Sequence, residues 1–256
     1  MDVLRRELQE VFHRHEFRLS ALSEADIEAC RRFISASTAI SQGCAILSDL
    51  ATNGSYFAIG RLVDILGLHG EVPEEDLIDI DEDFIYRRIH PEDLVDKRML
   101  ELRFFEKAAD LPAEERLKYH ATCRIRMQKA SGEYIYIHNV TRIQQNDADG
   151  LMRLVTCLYD LSPDQNEIRG INPHIVNVET GEVQQLALYE ERFNILSTRE
   201  KEILLLIKRG LLSKEIADTL HISIHTVNTH RQNILQKLSV NNSMEAVQTA
   251  TAMMLL

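Results

Sequence analysis

The sequence predicts an α+β protein, in which an antiparallel sheet with flanking helices is followed by an all-α domain of four helices. Apolar and polar residues alternate in several short segments between residues 44 and 160, which is the pattern of half-buried strands. From residue 197 onward the apolar residues instead recur at helical spacing, and residues suited to capping separate the runs. With 45% hydrophobic residues among 256, the chain can bury a substantial core.

Two helices are predicted near the N-terminus, over residues 2–18 and 23–40. Ser23 is suited to cap the second helix, because the acidic Glu24 and Asp26 follow it in the first turn. Both helices are expected to pack on the domain that follows, and a role in dimerisation is the alternative.

A strand at 44–50 and its return strand at 56–59 are predicted to form a hairpin. The Asn-Gly pair at 53–54 lies between them and is a strong signal for a tight turn. A short helix is expected over 61–68, before an acidic and irregular stretch at 71–93.

A long helix is predicted from Pro91 to about Ala109, and three strands at 119–127, 133–143 and 151–160 should form a meander. The apolar side of the helix should carry Leu94, Met99, Leu102 and Phe105. The third strand is apolar on both faces apart from Arg153, so both sides of the sheet should be covered there.

This order of elements over residues 42–163 resembles the PAS sensor fold. Residues 90–93 resemble the HPED segment common before the long helix of PAS domains, and residues 160–162 resemble their usual exit. The resemblance implies a sensor domain, whose signal molecule would enter on the concave side of the sheet, next to the helices at 61–109. No flavin-adduct motif centred on a cysteine is visible, so photochemistry is not expected, and the sequence identifies no required cofactor.

His90 has two interpretations, as a haem or metal ligand or as the start of a helix. Its neighbours favour the helix start, because Pro91 suits the first turn and Glu92 and Asp93 lie near the positive end of the helix dipole. No metal site is therefore predicted.

The four cysteines have neither the spacing of a zinc site nor that of a Cys-x-x-Cys pair. They are Cys30, Cys44, Cys123 and Cys157. We expect reduced and mostly buried thiols, with a redox-sensing pair as the alternative.

A further hairpin is predicted over 174–188, and the sequence does not indicate which domain it packs on. The predicted organisation is N-terminal helices at 1–41, a PAS-like sensor domain at 42–163, a hairpin and linker at 164–195, and a helical domain at 196–256.

The helical domain shows clear helix boundaries. Ser197 and Glu200 have the spacing of a capping box, and Gly210 is suited to end the first helix. The residues predicted to cap the four helices are Ser197, Ser213, Ser223 and Asn242.

The third of these helices, about Ile224 to Leu238, has an apolar and a polar face. The apolar residues expected in the core are Ile224, Val227, Ile234, Leu235 and Leu238. The opposite face carries His225, Asn228, Thr229, Gln232 and Gln236. Amides and hydroxyls match the donors and acceptors of the major groove, where Asn and Gln can bind adenine through two hydrogen bonds.

Residues 196–247 resemble the LuxR-type helix-turn-helix nearly from end to end. The family's characteristic residues are present, including Thr198-Arg199-Glu200, Lys214-Glu215-Ile216-Ala217, Thr226-Val227 and Lys237-Leu238. The resemblance implies a bacterial transcription regulator that binds double-stranded DNA as a homodimer.

The resemblance also implies roles for individual residues. Phosphate contacts would come from Lys214, Thr226, His230, Arg231 and Lys237. Base edges would be contacted by Asn228, Thr229 and Gln232, with the third helix in the major groove. Dimerisation would involve Val247, Ala250 and Thr251 of the fourth helix. Many family members have Lys at the position of Asn228, so the operator sequences of other members are not expected to transfer.

The net charge of −11 is unevenly distributed. From Leu196 onward the chain has seven basic and five acidic residues, a charge of +2, whereas the preceding part carries −13. This asymmetry is typical of a protein that meets phosphate only with its last domain. Because the positive excess is small, non-specific binding should be modest and sensitive to salt.

The first hypothesis is a cytoplasmic sensor–regulator, with RNA polymerase left open as a further partner. Neither a signal peptide nor a transmembrane segment is expected, so no membrane partner is predicted. No series of β-α-β units with a phosphorylatable Asp is evident, which argues against control by a phosphorelay.

Other classes of function are weaker. A ligand- or partner-binding protein whose last domain mainly dimerises is the alternative, favoured slightly by the +2 charge and by Asn228. A sigma-like factor would need a second, basic and aromatic-rich segment for promoter melting, which the sequence lacks. An enzyme is not predicted, because no nucleophile elbow, P-loop or zinc-protease motif is present.

Overall fold

The computed structural model describes two compact units, which divide between Leu186 and Ala187. The described residues are 22–70, 77–78, 83–188, 195–238 and 240–256. The helix predicted over 2–18 lies outside them.

The first unit combines helices with a single antiparallel sheet. Its helices are α1 (Glu24–Ser41), α2 (Leu62–Leu66), α3 (Asp83–Tyr86), α4 (Pro91–Ala109) and α5 (Ala113–Arg116). Its strands are β1 (Cys44–Asp49), β2 (Gly54–Ile59), β3 (Leu77–Ile78), β4 (Tyr119–Gln128), β5 (Tyr134–Asn146), β6 (Met152–Leu161), β7 (His174–Asn177) and β8 (Val183–Gln185). Within the described residues the strand order is β3-β2-β1-β6-β5-β4-β7-β8. The predicted fold class, a sheet with flanking helices followed by a helical domain, is confirmed.

The predicted meander is present as β4, β5 and β6, which pair in sequence order. Residues Met152 to Cys157 of β6 are buried, which confirms that both faces of the sheet are covered there. Strand β7 pairs with β4 in an antiparallel register, and β8 pairs with β7. The hairpin whose place was open in the sequence therefore extends the sheet of the first unit.

The hairpin predicted at the Asn-Gly pair is confirmed, since β1 and β2 pair in an antiparallel register. Its turn is wider than the two-residue loop that Asn-Gly often forms. Asp49 pairs with Gly54, so the loop spans residues 50–53 and Gly54 begins the return strand. The Asp49 carboxylate accepts a hydrogen bond from the Ala51 backbone N–H at 3.0 Å, and Asn53 takes up the left-handed conformation at φ 55°. The side chain of Asp49 thus stabilises a wider turn.

Helices cover both faces of the sheet. On one face, Cys30 and Ile34 of α1 pack into a cluster with Ala45, Leu47 and Leu154. On the other face, α4 directs Lys97 toward β6, where its ammonium lies over the Tyr159 ring at 5.8 Å. The core of the unit is therefore a three-layer arrangement with the sheet in the middle.

Helix α4 has the predicted limits but a different buried face. Met99 and Phe105 are buried as predicted, whereas Leu94 and Leu102 are only partly buried. In their place the buried face includes four charged residues, Asp93, Asp96, Lys97 and Glu101. The spacing of apolar residues could not predict the burial of these four, because a charged residue is buried only where it forms an ion pair or hydrogen bonds with particular partners.

Lys97, Glu101 and Asp93 of α4 have charged partners. Lys97 is fully buried and forms an ion pair with Glu101, one turn later. Burial alone would lower the pKa of Lys97, but the carboxylate of Glu101 raises it by more, so this ammonium stays charged. The Asp93 carboxylate accepts hydrogen bonds from the Arg126 backbone N–H at 2.7 Å and from its guanidinium Nη2–H at 2.6 Å.

His90 is the N-cap of α4, and its Nδ1 accepts a hydrogen bond from the Glu92 backbone N–H at 3.3 Å. This contact agrees with the helix-start interpretation. Among the described residues no group of three or more His, Cys, Asp or Glu has the arrangement of a metal site. In the same part of the chain, no helix has the length and hydropathy required to cross a bilayer.

All four cysteines are buried free thiols. Burial raises the pKa of Cys44 and of Cys123 to about 12. Because the thiolate is the reactive form, these two groups are poor nucleophiles at neutral pH. The structure thus agrees with the expectation of reduced, buried thiols.

Candidate nucleic-acid interface

The second unit contains four helices in the described residues. They are α6 (Thr198–Lys208), α7 (Ser213–Leu220), α8 (Ile224–Lys237) and α9 (Ser243–Ala252). Helices α7 and α8 are separated by three residues, of which His221 adopts the left-handed conformation at φ 52°. This short connection sets α8 against α7 as the second helix of a helix-turn-helix.

Three of the four predicted N-caps are confirmed. The Ser197 hydroxyl oxygen accepts from the Glu200 backbone N–H, and the Ser223 hydroxyl oxygen accepts from the Thr226 backbone N–H. The Asn242 side-chain oxygen accepts from the backbone N–H groups of the second and third helical residues. These contacts satisfy donors that the first turn of a helix leaves without partners.

Ser213 does not cap α7, contrary to the prediction, since it is already the first helical residue. Leu212 occupies the N-cap position, and its backbone N–H donates to the Glu215 carboxylate at 2.7 Å. The Ser213 hydroxyl instead accepts a hydrogen bond from Arg231 of α8. Ser213 therefore bonds to a residue distant in sequence instead of capping its own helix.

The helices meet around a small apolar core. Its buried residues include Ile203, Leu204, Ile216, Ala217, Val227, Ile234, Leu238, Ala246 and Ala250. Ile224 was predicted in this core but is 46% exposed, because it stands at the first position of α8, at the edge of the domain. Leu235 is half-buried.

The polar face of α8 is exposed as predicted. The residues His225, Asn228, Thr229, Gln232 and Gln236 are all solvent-exposed. Helix α8 contains no Asp or Glu, so this face presents amides and a hydroxyl without negative charge. Such a surface can enter the major groove without repulsion from the phosphates that line it.

Lys237, predicted to contact phosphate, is paired inside the domain. Its ammonium donates to the Glu200 carboxylate at 2.7 Å, and Glu200 is only 3% exposed. Burial alone would raise the pKa of Glu200, but hydrogen bonds from Lys237 and Ser197 lower it below its usual value. The pair ties the C-terminal end of α8 to the start of α6.

Arg231, also predicted to contact phosphate, joins three helices. Its guanidinium donates to the Ser213 hydroxyl at 3.0 Å and to the Ser243 hydroxyl at 2.8 Å. These serines begin α7 and α9, so Arg231 fixes both helices relative to α8. In the domain without DNA, Arg231 therefore holds α7 and α9 in position against α8.

The other three candidates for phosphate contact differ in their surroundings. Lys214 is exposed near the start of α7. The Thr226 hydroxyl lies 2.8 Å from the Ser223 hydroxyl at the start of α8. His230 is half-buried, and its Nδ1 is buried with no hydrogen-bond partner among the described residues. Of these three candidates, Lys214 is the one whose side chain is solvent-exposed and positively charged.

The dimer candidates of α9 are not equally accessible. Thr251 is exposed, Val247 is half-buried, and the Ala250 side chain is fully buried in the domain's own core. A contact with a second copy therefore cannot use the Ala250 side chain without opening that core.

The sequence of this helical unit matches a known protein family. Residues 194–250 match the family described as bacterial regulatory proteins, luxR family. The second unit contains a LuxR-family helix-turn-helix domain. The matched family is one of regulatory proteins.

Relatives of the LuxR-family domain include two response regulators. The uncharacterized response regulatory protein YgeK of Escherichia coli (strain K12) is 50% identical over 60 residues, which are 23% of this chain and 41% of that protein. The response regulator protein VraR of Staphylococcus aureus (strain NCTC 8325 / PS 47) is 51% identical over 57 residues, or 22% and 27% of the two chains. The chain therefore matches less than half the length of these relatives.

Two solved structures show only a distant likeness to this chain. The phage VqmA–DPO complex has a TM-score of 0.29 and 15% identity, covering 90% of this chain and 88% of that one. Escherichia coli SdiA has a TM-score of 0.25 and 17% identity, covering 66% and 94% of the two chains.

Proposed function

We propose that the chain is a sequence-specific transcription regulator, which binds double-stranded DNA as a homodimer by placing α8 in the major groove. The observation that carries the proposal is the face of α8, where three exposed polar residues stand within a LuxR-family domain and no acidic residue interrupts them. Asn228, Thr229 and Gln232 are the proposed base-facing residues.

The backbone contacts are proposed to centre on Lys214, Thr226 and His230. Lys237 and Arg231 act first as positioning residues, since each is held by partners within the domain. They contact phosphate only where the DNA backbone displaces Glu200 from Lys237 or the serine hydroxyls from Arg231. Dimer contacts are proposed on the exposed side of α9, around Val247 and Thr251.

The first unit is proposed to be a PAS-like sensor domain built on residues 42–163, with the β7–β8 hairpin added to its sheet. An apolar depression on the α4 side of the sheet is lined by residues that include Ile46, Phe57, Ile59, Val63, Phe84 and Ile85. Its volume of about 10 Å³ holds about one water molecule, so binding of a small apolar signal molecule there requires these side chains to move apart. Such a molecule would change regulation only if its affinity differs between two arrangements of the protein.

The experiment that tests this function is selection of fragments from genomic DNA on the purified full chain. We expect enrichment of a shared two-fold symmetric sequence, because a homodimer contacts two half-sites. If no fragment is retained at low salt, with or without a small-molecule extract of the host, the regulator proposal fails. Dimers that form without any DNA binding would favour the alternative, a partner-binding protein that dimerises through its last domain.

Gln232→Ala is expected to relax sequence preference at one base pair per half-site, with a loss of about 1–3 kcal/mol against the preferred base. The exposed amide of Gln232 can make two hydrogen bonds to adenine, which alanine cannot. Binding to a panel of single-base variants of the best fragment measures the effect. Gln248→Ala, an exposed glutamine of α9, is the matched control, and an equal loss in both variants would contradict the assignment.

Lys214→Ala is expected to weaken binding to all sequences alike and to reduce the slope of log affinity against log salt by about 1. One phosphate contact fewer releases one counterion fewer, and base recognition is unaffected. Titrations at several salt concentrations measure the slope. Arg209→Ala removes an exposed cation at the C-terminal end of α6, outside α7 and α8, and its slope should equal that of wild type.

A further inference from the structure

The two ends of the Thr229 side chain have different surroundings. Its hydroxyl donates a hydrogen bond to the backbone carbonyl of His225, one turn earlier in α8, at 3.1 Å. The donor of the hydroxyl is thereby used inside the helix, in the arrangement that threonine often adopts there. The side chain as a whole is exposed, so its methyl group Cγ2 is available for an apolar contact with a bound molecule.

The neighbours of Thr229 indicate what that partner is. Gln232 follows three residues later and therefore lies beside Thr229 on the helix surface. An amide at this place suits adenine, and the base opposite adenine is thymine, whose C5 methyl is the apolar feature of the major groove. The three base-facing positions include no Arg or Lys, the residues that most often bind guanine.

We propose that Thr229 recognises thymine through contact of its Cγ2 methyl with the C5 methyl of the base. Together with Asn228 and Gln232, this contact makes each half-site prefer A·T pairs where α8 approaches the bases. The inference rests on the proposed function, because it requires that α8 enters the major groove. It assigns the specificity of Thr229 to its methyl group rather than to its hydroxyl.

Replacement of single thymines by uracil tests this contact, since uracil lacks only the C5 methyl. In the best fragment from the selection, wild type should lose about fourfold in affinity at one thymine per half-site, the factor that corresponds to one buried methyl group. Thr229→Ser, which keeps the hydroxyl and lacks Cγ2, should bind the thymine and uracil fragments equally. Thr229→Val, which keeps a methyl at this place and lacks the hydroxyl, should retain the discrimination.

The matched control is Thr219→Ser. Thr219 of α7 is exposed and its hydroxyl donates to the Glu215 backbone carbonyl at 2.7 Å, which is the same local geometry outside α8. This variant should discriminate uracil as wild type does, and circular dichroism should show equal helicity for all four proteins.

Four outcomes are decisive. If Thr229→Ser keeps the uracil penalty, another group contacts the thymine methyl, and the inference is overturned. If Thr229→Val loses the penalty, a methyl group at this position is not what recognises thymine, and the inference is overturned as well. If no thymine is sensitive to uracil in a fragment that wild type binds selectively, the inference is also overturned while the proposed function stands. If wild type selects no fragment at all, the proposed function itself has failed.

Discussion

Lys97→Met is expected to lower the free energy of unfolding of the sheet unit by about 3–5 kcal/mol, the cost of leaving one buried charge without its partner. Lys97 is fully buried and Glu101 is 4% exposed, so the remaining carboxylate has little access to water. The ammonium also lies over the Tyr86 ring at 5.1 Å, a contact that methionine replaces only in part. Urea unfolding followed by tyrosine fluorescence measures the change, since six of the seven tyrosines lie in the first unit.

Two further variants test the cause of this loss. The double variant Lys97→Met/Glu101→Leu removes both charges and should recover most of the stability, because well-packed apolar residues can replace a buried ion pair at little cost. Arg103→Met breaks the exposed pair of Arg103 with Glu106 on the same helix and should cost less than about 1 kcal/mol. A double variant no more stable than Lys97→Met would contradict the explanation.

Glu200→Ala is expected to destabilise the LuxR-family domain by about 2–3 kcal/mol and to weaken DNA binding, because the C-terminal end of α8 loses its ion pair. One carboxylate accepts hydrogen bonds from the Ser197 backbone N–H at 2.8 Å and from the Lys237 ammonium at 2.7 Å. Its removal therefore loses the side-chain half of the capping box of α6 and the anchor of the C-terminal end of α8. Hydrogen exchange of the amides in residues 198–238 measures the effect on this domain alone.

The same residue makes the domain sensitive to acid. Because the pKa of Glu200 is lower in the folded domain than its usual value, ionisation stabilises the fold above the unfolded-state pKa. This stabilisation disappears as the pH falls through the lower, folded-state value. We expect the stability difference between wild type and Glu200→Gln to shrink as the pH falls below about 4.5. A difference that is constant down to about pH 3 would contradict the role of the ion pair.

Glu202→Ala is the control for both measurements. Glu202 is exposed on α6 and pairs with Arg199 at 2.8 Å, two residues from Glu200 in sequence. An exposed pair of this kind contributes at most about 1 kcal/mol, so this variant should bind DNA as wild type does. An equal loss in Glu202→Ala and Glu200→Ala would indicate a general effect of charge on α6.

Local patterns predicted much of the fold because their partners lie within a few residues. Ser223 and Asn242 cap helices through donors two or three positions away, so their spacing in the sequence is sufficient evidence. The alternation of residues in β4 likewise predicts which side chains face the interior. The polar face of α8 follows from helical periodicity in the same way.

Predictions failed where a side chain finds its partner on another element. Ser213 has the sequence context of a cap, yet Arg231 from α8 takes its hydroxyl. The face of α4 was assigned from its apolar residues, but Lys97 and Glu101 are buried because they pair with each other beneath the sheet. No spacing rule identifies such pairs, since burial depends on which surfaces meet.

The sequence by itself determined the order along the chain of the longer strands and helices, most of the caps and the exposed amides and hydroxyl of α8. All of these depend on neighbours along the chain. The sequence did not predict the short elements β3, α3 and α5. Only the tertiary structure decided that Lys237 and Arg231 are held inside the domain, that Ala250 belongs to its core, and that the β7–β8 hairpin joins the sheet. The physical reason is that contacts between residues distant in sequence form only when the helices and strands pack together. Packing then determines which charged side chains are paired within the protein and which stay exposed and can contact DNA.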